Sequence, residues 1–252
     1  MWMPDALSAQ VGPDGLIWLA GVAFLASLVR GFAGFGTGLI FMPLAAQVLP
    51  PIWAIAAISV LDVLGPAPLV RGALKAAHRG DLLRMLAGLA VMLPVGLWAL
   101  DHVSGAQFRI ATSALALAML VVLALGLKYR GRVRKPAVFG IGAASGFLGG
   151  VAGLPGPPVI LFYIARPLPA AVIRANTLLF LLGYDLLIWV YLVAMGRFET
   201  GALYLGLGLA MPAVLGNALG ARLFRLGHDR LYRWIALVVI AASALSGLGV
   251  LG

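Results

Sequence analysis

The stretch GFAGFGTGLIFMP, residues 31–43, sets four glycines among apolar side chains. A second stretch, GFLGGVAGLPGPPVI at 146–160, repeats the pattern. In hydrocarbon a broken helix leaves N–H and C=O groups without partners, at several kcal/mol each, so such breaks persist where they line a polar cavity or are buried in protein. A half-helix beginning after the break aims its N–H groups and positive dipole end at that cavity, which suits an anion. The missing Cβ lets ligand and backbone approach closely. The bland alternative is close helix packing, since Gly34-x-x-x-Gly38 and Gly149-x-x-x-Gly153 are also small-residue contact patterns. Two matched stretches, each leading into a short segment with a proline, favour the cavity.

Working outward, the composition sets the class. Of 252 residues, 63 % are hydrophobic and 10 % charged, and the mean hydropathy is +1.07. This is an integral membrane protein with no sizeable soluble domain. There are no cysteines, which excludes disulfides, thiolate metal sites, iron–sulfur clusters and thiol catalysis. A net charge of +10 would point to nucleic acid or acidic partners in a soluble protein. Here it reads as loop bias, and no nucleic-acid partner is expected. The N-terminal tail carries Asp5 and Asp14 and no Lys or Arg, so it lacks the basic region of a cleaved signal peptide.

Ten apolar segments follow, at roughly 15–31, 38–49, 51–71, 82–100, 106–127, 136–149, 154–165, 169–195, 201–222 and 232–251. Helix is the default for each. The segments at 38–49 and 154–165 are too short to cross a core of about 30 Å as straight helices and read as half-helices. Basic residues give the orientation. Arg71, Lys75, Arg79 and Arg84 surround one connection; Lys128, Arg130, Arg132, Arg134 and Lys135 fill a second; Arg222, Arg225, Arg230 and Arg233 surround a third. The connections near residues 101–105 and 196–200 hold only Arg109 and Arg197, beside Asp101 and Glu199. By the positive-inside bias the first three lie in the cytoplasm and the last two outside, with both termini on the outer side. Each glycine stretch then belongs to a pair that crosses twice or to a re-entrant hairpin, and charge counting leaves both open.

An internal repeat accompanies this topology. At an offset of 115, Gly31, Gly34, Gly38 and Pro43 match Gly146, Gly149, Gly153 and Pro158. At 118, Pro51, Gly65, Arg79 and Pro94 match Pro169, Gly183, Arg197 and Pro212. The halves, 1–128 and 129–252, have opposite orientation. The fold class expected is therefore an all-α polytopic membrane protein of two inverted-topology repeats, each a glycine-broken helix or re-entrant hairpin followed by three spanning helices. Secondary transporters use such repeats, with the substrate site at their interface.

The paired glycine stretches, with Pro43 after the first and Gly153-x-x-Gly156-Pro157-Pro158 in the second, resemble the TauE/SafE sulfite exporter family, also called toluene-sulfonate uptake permeases. The resemblance spans nearly the whole chain. It implies a bacterial inner-membrane carrier of small sulfur-containing anions such as sulfite, organosulfonates or related carboxylates.

Charges inside the apolar segments complete the candidates. Asp62 and Asp185 lie within segments 51–71 and 169–195, where a carboxylate is expensive and faces the protein interior. Each reads as a proton-coupling group, or else as a structural acid bonded to a neighbouring helix or paired with Arg30. Arg30 stands directly before the first glycine stretch. At a hairpin tip it would bond a sulfonate or carboxylate; after a full crossing it would be a cytoplasmic anchor. Arg174 reads as a snorkelling residue near the cytoplasmic surface. Asn176 and Asn217 lie deeper and line the cavity or link helices, and Ser59 and Thr177 match at the 118 offset as a polar layer. The substrate-binding set is Arg30, Gly34, Gly36, Thr37, Gly38, Gly149, Gly153, Gly156, Pro157, Asn176 and Thr177. His78, His102 and His228 are scattered over loops on both sides, so no metal, haem or catalytic constellation is expected, no cofactor is called for and the chain is not read as an enzyme. The reading is an anion exporter coupled to protons, with the small anion and membrane lipid as partners and a homo-oligomer left open. The rivals are a passive anion channel of the same fold and a membrane-embedded enzyme or assembly factor.

Overall fold

In the computed structural model, residues 3–67, 70–125, 134–166, 168–224 and 229–249 are described. Lys128, Arg130, Arg132, Arg225 and His228 lie outside them. The described residues form eleven helices and no strand. In order they are α1 (Met3–Ala33), α2 (Thr37–Ala45), α3 (Pro51–Leu64), α4 (Val70–Ala76), α5 (Arg79–Leu100) and α6 (Gly105–Leu125). Then come α7 (Lys135–Ala152), α8 (Gly156–Ile164), α9 (Ala170–Ala194), α10 (Thr200–Phe224) and α11 (Asp229–Gly247). Among the described residues, five stretches are long and apolar enough to cross a bilayer: Val11–Gly31, Arg79–Leu100, Gly105–Leu125, Ala171–Ala194 and Thr200–Leu223. The chain is an all-helical, multi-pass membrane protein.

Helices α2 and α8 have nine residues each. At about 1.5 Å per residue neither reaches half-way across the hydrocarbon, so both are half-helices. The third segment departs from expectation. Instead of one helix over 51–71, α3 stops at Leu64 and α4 begins at Val70. Pro66 cannot donate to the helical ladder, and Asn217 Nδ2 donates 3.0 Å to the Gly65 carbonyl, supplying a partner where the helix ends. Asp62 consequently lies in the last turn of α3, not in the middle of a span. Earlier in the chain, α1 begins before residue 15 but breaks at Gly12 (φ 68), just ahead of Pro13.

Small residues fix the helix directions. Gly216 and Gly220 of α10 sit so close to Phe24 and Leu28 of α1 that a Cβ would overlap backbone atoms. Trp53 and Val60 of α3 pack on Gly201 and Gly206 of the same helix. Residue numbers rise together in both contacts, so α1, α3 and α10 run parallel. On the other side, Gly142, Gly146 and Gly150 of α7 press on Met85, Leu89 and Gly96 of α5. Leu86 packs on Gly183 of α9, and the Tyr191 hydroxyl donates 2.8 Å to the Ala90 carbonyl. Helices α5, α7 and α9 are thus a second parallel set. The end of α1 meets the start of α9, where Arg174 lies against Gly34, so the two sets oppose each other. Lipid tails offer no apolar contrast to a Leu-rich helix, and close backbone approach supplies the association instead.

Leu83, Val91, Ile110, Val121, Val190 and Met211 lie exposed on the outside, as side chains facing lipid do. Helix α2 is the opposite: Thr37 and Leu39–Ala45 are all buried. The half-helix that follows the first break is therefore enclosed by protein, a condition under which a membrane tolerates a broken helix.

Candidate functional site

Each glycine stretch breaks the chain by backbone conformation. Gly34 and Gly36 have φ of 82° and 109°, and Gly153 has φ 66°, in the left-handed region that side-chain-bearing residues avoid. Other glycines of the motifs serve packing. Gly31 lies against α10 and Gly146 against α5. Cavity and packing readings therefore hold side by side within the same stretch, at different positions.

The two breaks meet. Gly36, Thr37 and Gly38 from the first, and Gly153, Gly156 and Pro157 from the second, line one chamber of about 30 Å³. The half-helices present different numbers of donors to it. No side chain caps α2, so the N–H groups of Thr37, Gly38 and Leu39 stand at its open end. In α8 the second and third positions are Pro157 and Pro158, which have no N–H, leaving Gly156 as the donor in its first three positions. The backbone offers an anion more on the α2 side.

Asp62, Asp185 and Tyr184 also line it, among apolar side chains such as Ile58 and Leu154. Arg30 and Asp62, 6 % and 8 % exposed, form an ion pair, and Arg30 Nη1 also lies 3.3 Å from Thr37 Oγ1. The guanidinium thereby ties the end of α1 to the end of α3 and the start of α2. Arg30 is neither a bare hairpin tip nor a surface anchor: α1 is long enough to cross, yet its last-turn arginine is buried and paired. Asp185, at 2 % exposure, has an Oδ2 with no hydrogen-bond partner among the described residues. The Tyr184 hydroxyl is taken up by the Gly149 carbonyl at 2.9 Å, and its ring fills the space a Cβ at Gly149 would need.

A larger vestibule of about 510 Å³ adjoins Arg30, lined also by Gly34, Arg174 and Asn217 and by alanines of α4 and α9. The sequence-nominated residues thus sort themselves. Gly36, Thr37, Gly38, Gly153, Gly156, Pro157, Asp62 and Asp185 share the chamber; Arg30 and Gly34 line the vestibule; Gly149 reaches the chamber wall through Tyr184. Asn176 links elements, donating to the Val172 carbonyl at 2.8 Å and accepting from the His78 N–H at 3.1 Å. Thr177 is buried and lines neither space. Ser59 donates to Ala56 of its own helix, so Ser59 and Thr177 form no shared polar layer in the cavities. Tyr184 was not nominated by sequence, although its place beside Asp185 offered a signal. Arg174, read as a snorkelling residue, points its side chain over Gly34.

No group of three or more His, Asp or Glu gathers to hold a metal among the described residues. A family model described as "Sulfite exporter TauE/SafE" matches residues 19–247, a span that includes every residue of the chamber and vestibule. No curated protein and no solved structure matches the chain.

Proposed function

Because this chain belongs to the TauE/SafE family, a family of membrane transporters named for sulfite export, we propose that it exports a small sulfur-containing or organic anion. The cargo class is sulfite, an organosulfonate or a related carboxylate, carried across the bacterial inner membrane with protons as the coupling ion. The observation that carries this reading is the meeting of both glycine breaks at one chamber beside the Arg30–Asp62 pair. The N–H groups at the start of α2 and the Arg30 guanidinium are donors suited to an oxyanion.

Two inverted repeats, 1–128 and 129–252, account for the contacts. Exchanging the halves turns α1 on α10 into α7 on α5, and α3 on α10 into α9 on α5; all four contacts are made, in two oppositely directed sets. Rocking of one repeat against the other would expose the chamber to each side in turn. The pairing of Arg197 with Asp101 supports the charge-based orientation, because it joins the two connections expected on the outer face, where both termini also belong.

Within this reading the carboxylates have different jobs. Asp62 is held by Arg30, whereas Asp185 is buried in the chamber wall with an oxygen unpartnered among the described residues and serves as the proton site. Uptake of labelled sulfite, a short organosulfonate and a small carboxylate into proteoliposomes, with and without a pH gradient, tests the whole. Saturable, gradient-sensitive flux of one of them is expected. Asp185→Asn should retain downhill flux and lose the gradient response. Flux that fails to saturate and ignores the gradient identifies a channel and refutes the carrier.

A further inference from the structure

Arg30 stands between two spaces of opposite character. On one side is the chamber of about 30 Å³, whose wall carries Asp62 and Asp185. On the other is the vestibule of about 510 Å³, whose wall carries Arg30, Arg174 and Asn217 and, among the described residues, no acidic one. The chamber volume suits a water molecule or two, so an oxyanion finds room first in the vestibule. Charge favours the same order: besides the mutually paired Arg30 and Asp62, the vestibule wall adds the Arg174 guanidinium and the chamber wall adds the Asp185 carboxyl. The Arg30–Asp62 pair is itself the partition, since Arg30 lines one space and Asp62 the other.

We propose that the vestibule is a loading site for the oxyanion head of the substrate, distinct from the chamber, in which Arg174 takes hold first and the oxyanion then replaces Asp62 on Arg30. The proposal rests on the transport reading above. The exchange swaps one anionic partner for another on the same guanidinium, so Arg30 is never left buried without a counter-charge while the partition opens. A guanidinium carries five donors, and the contacts to Asp62 and Thr37 are both made from Nη1, so an incoming oxyanion can engage the group before Asp62 leaves. Gly34 makes the arrangement possible. Its φ is 82°, in the left-handed region, and a Cβ there would lie 2.9 Å from Arg174 Nε, so a side chain at this position would push Arg174 from its place across this wall.

The test measures labelled-sulfite binding to the purified full chain at low ionic strength, alongside flux in proteoliposomes. Arg174→Gln should weaken sulfite binding by about tenfold, the loss of one charge-assisted hydrogen bond, with an unchanged elution profile. Arg174→Lys, which keeps the charge, should recover most of it. Asp62→Asn removes the competitor for Arg30 and should tighten binding by about tenfold. Should Arg174→Gln fail to fold, Ala76→Trp, at an exposed position in the vestibule wall, replaces it and must reduce binding by filling the space. The proposal is overturned if wild type binds no sulfite, if Arg174→Gln or its replacement binds normally, or if Asp62→Asn binds more weakly. Binding with these responses but no flux leaves the loading site standing and refutes the transport reading; saturable flux indifferent to Arg174→Gln does the reverse.

Discussion

Replacing Arg30 by Met, Asp62 by Asn, and both together measures how far this one ion pair holds the broken helices in place. Both residues are buried, at 6 % and 8 % exposure, so removing one strands the other's charge. Breaking a buried pair from one side costs about 3–5 kcal/mol. Asp62→Asn belongs at the lower end, because Thr37 Oγ1 remains 3.3 Å from Arg30 Nη1. Arg30→Met belongs at the upper end, because it leaves Asp62 in a wall that already contains Asp185. For a chain of this size each kcal/mol moves the melting midpoint by roughly 2–4 °C. Arg30→Met should therefore lower it by roughly 10–20 °C and Asp62→Asn by roughly 6–12 °C. The double variant carries no stranded charge and should fall short of the sum by about 2–3 kcal/mol of coupling. The assay is thermal unfolding in detergent micelles followed by tryptophan fluorescence. If the single effects add to within about 0.5 kcal/mol, the two side chains do not act as a unit, and the argument that Arg30 joins α1 to α3 is refuted.

Two further substitutions probe the breaks. At Gly36 a Cβ would find ordinary room, with Val29 at 3.7 Å, whereas at Gly153 it would overlap Met42 and crowd Ile55. Gly36→Ala should thus lose only the left-handed backbone penalty of about 1–2 kcal/mol, and Gly153→Val should lose more and stop transport; equal melting shifts for the two would contradict the packing around Gly153. Asn217→Leu removes the donor to the Gly65 carbonyl and should destabilise by about 1–3 kcal/mol. Faster backbone amide exchange around residues 61–65 is the accompanying readout, and unchanged exchange there would show that Asn217 does not hold the end of α3.

Much of the fold was legible in the chain because the bilayer enforces local rules. Apolar length fixes which segments are helices, and the absence of water forces a glycine-broken helix into a buried or polar setting. The half-helices at 38–49 and 154–165 followed from length alone, and α2 and α8 lie there. The end of α3 was also written locally, in Gly65-Pro66, but was hidden inside a continuous apolar run. The reduced donor count of α8 needed no structure either, since Pro157 and Pro158 state it. Pairing with Arg30 stood among the readings of Asp62 and Asp185 alike, beside a proton-coupling role and a hydrogen bond to a neighbouring helix.

By itself, then, the sequence determined that this is a polytopic helical membrane protein, that its helices break at the two glycine stretches, and that two aspartates inside apolar segments need partners. Only the tertiary structure decided which aspartate Arg30 takes, that Asp185 shares the same chamber, that Arg174 lies over Gly34, and that Asn217 rather than Asn176 lines the vestibule. The reason is physical. A helix apolar on all sides carries no stripe to say which face turns inward, and lipid does not discriminate among its leucines. Rotation is set where glycines let backbones touch, as Gly216 and Gly220 do on α1 and Gly142 and Gly146 on α5, and those partners lie far apart in the chain.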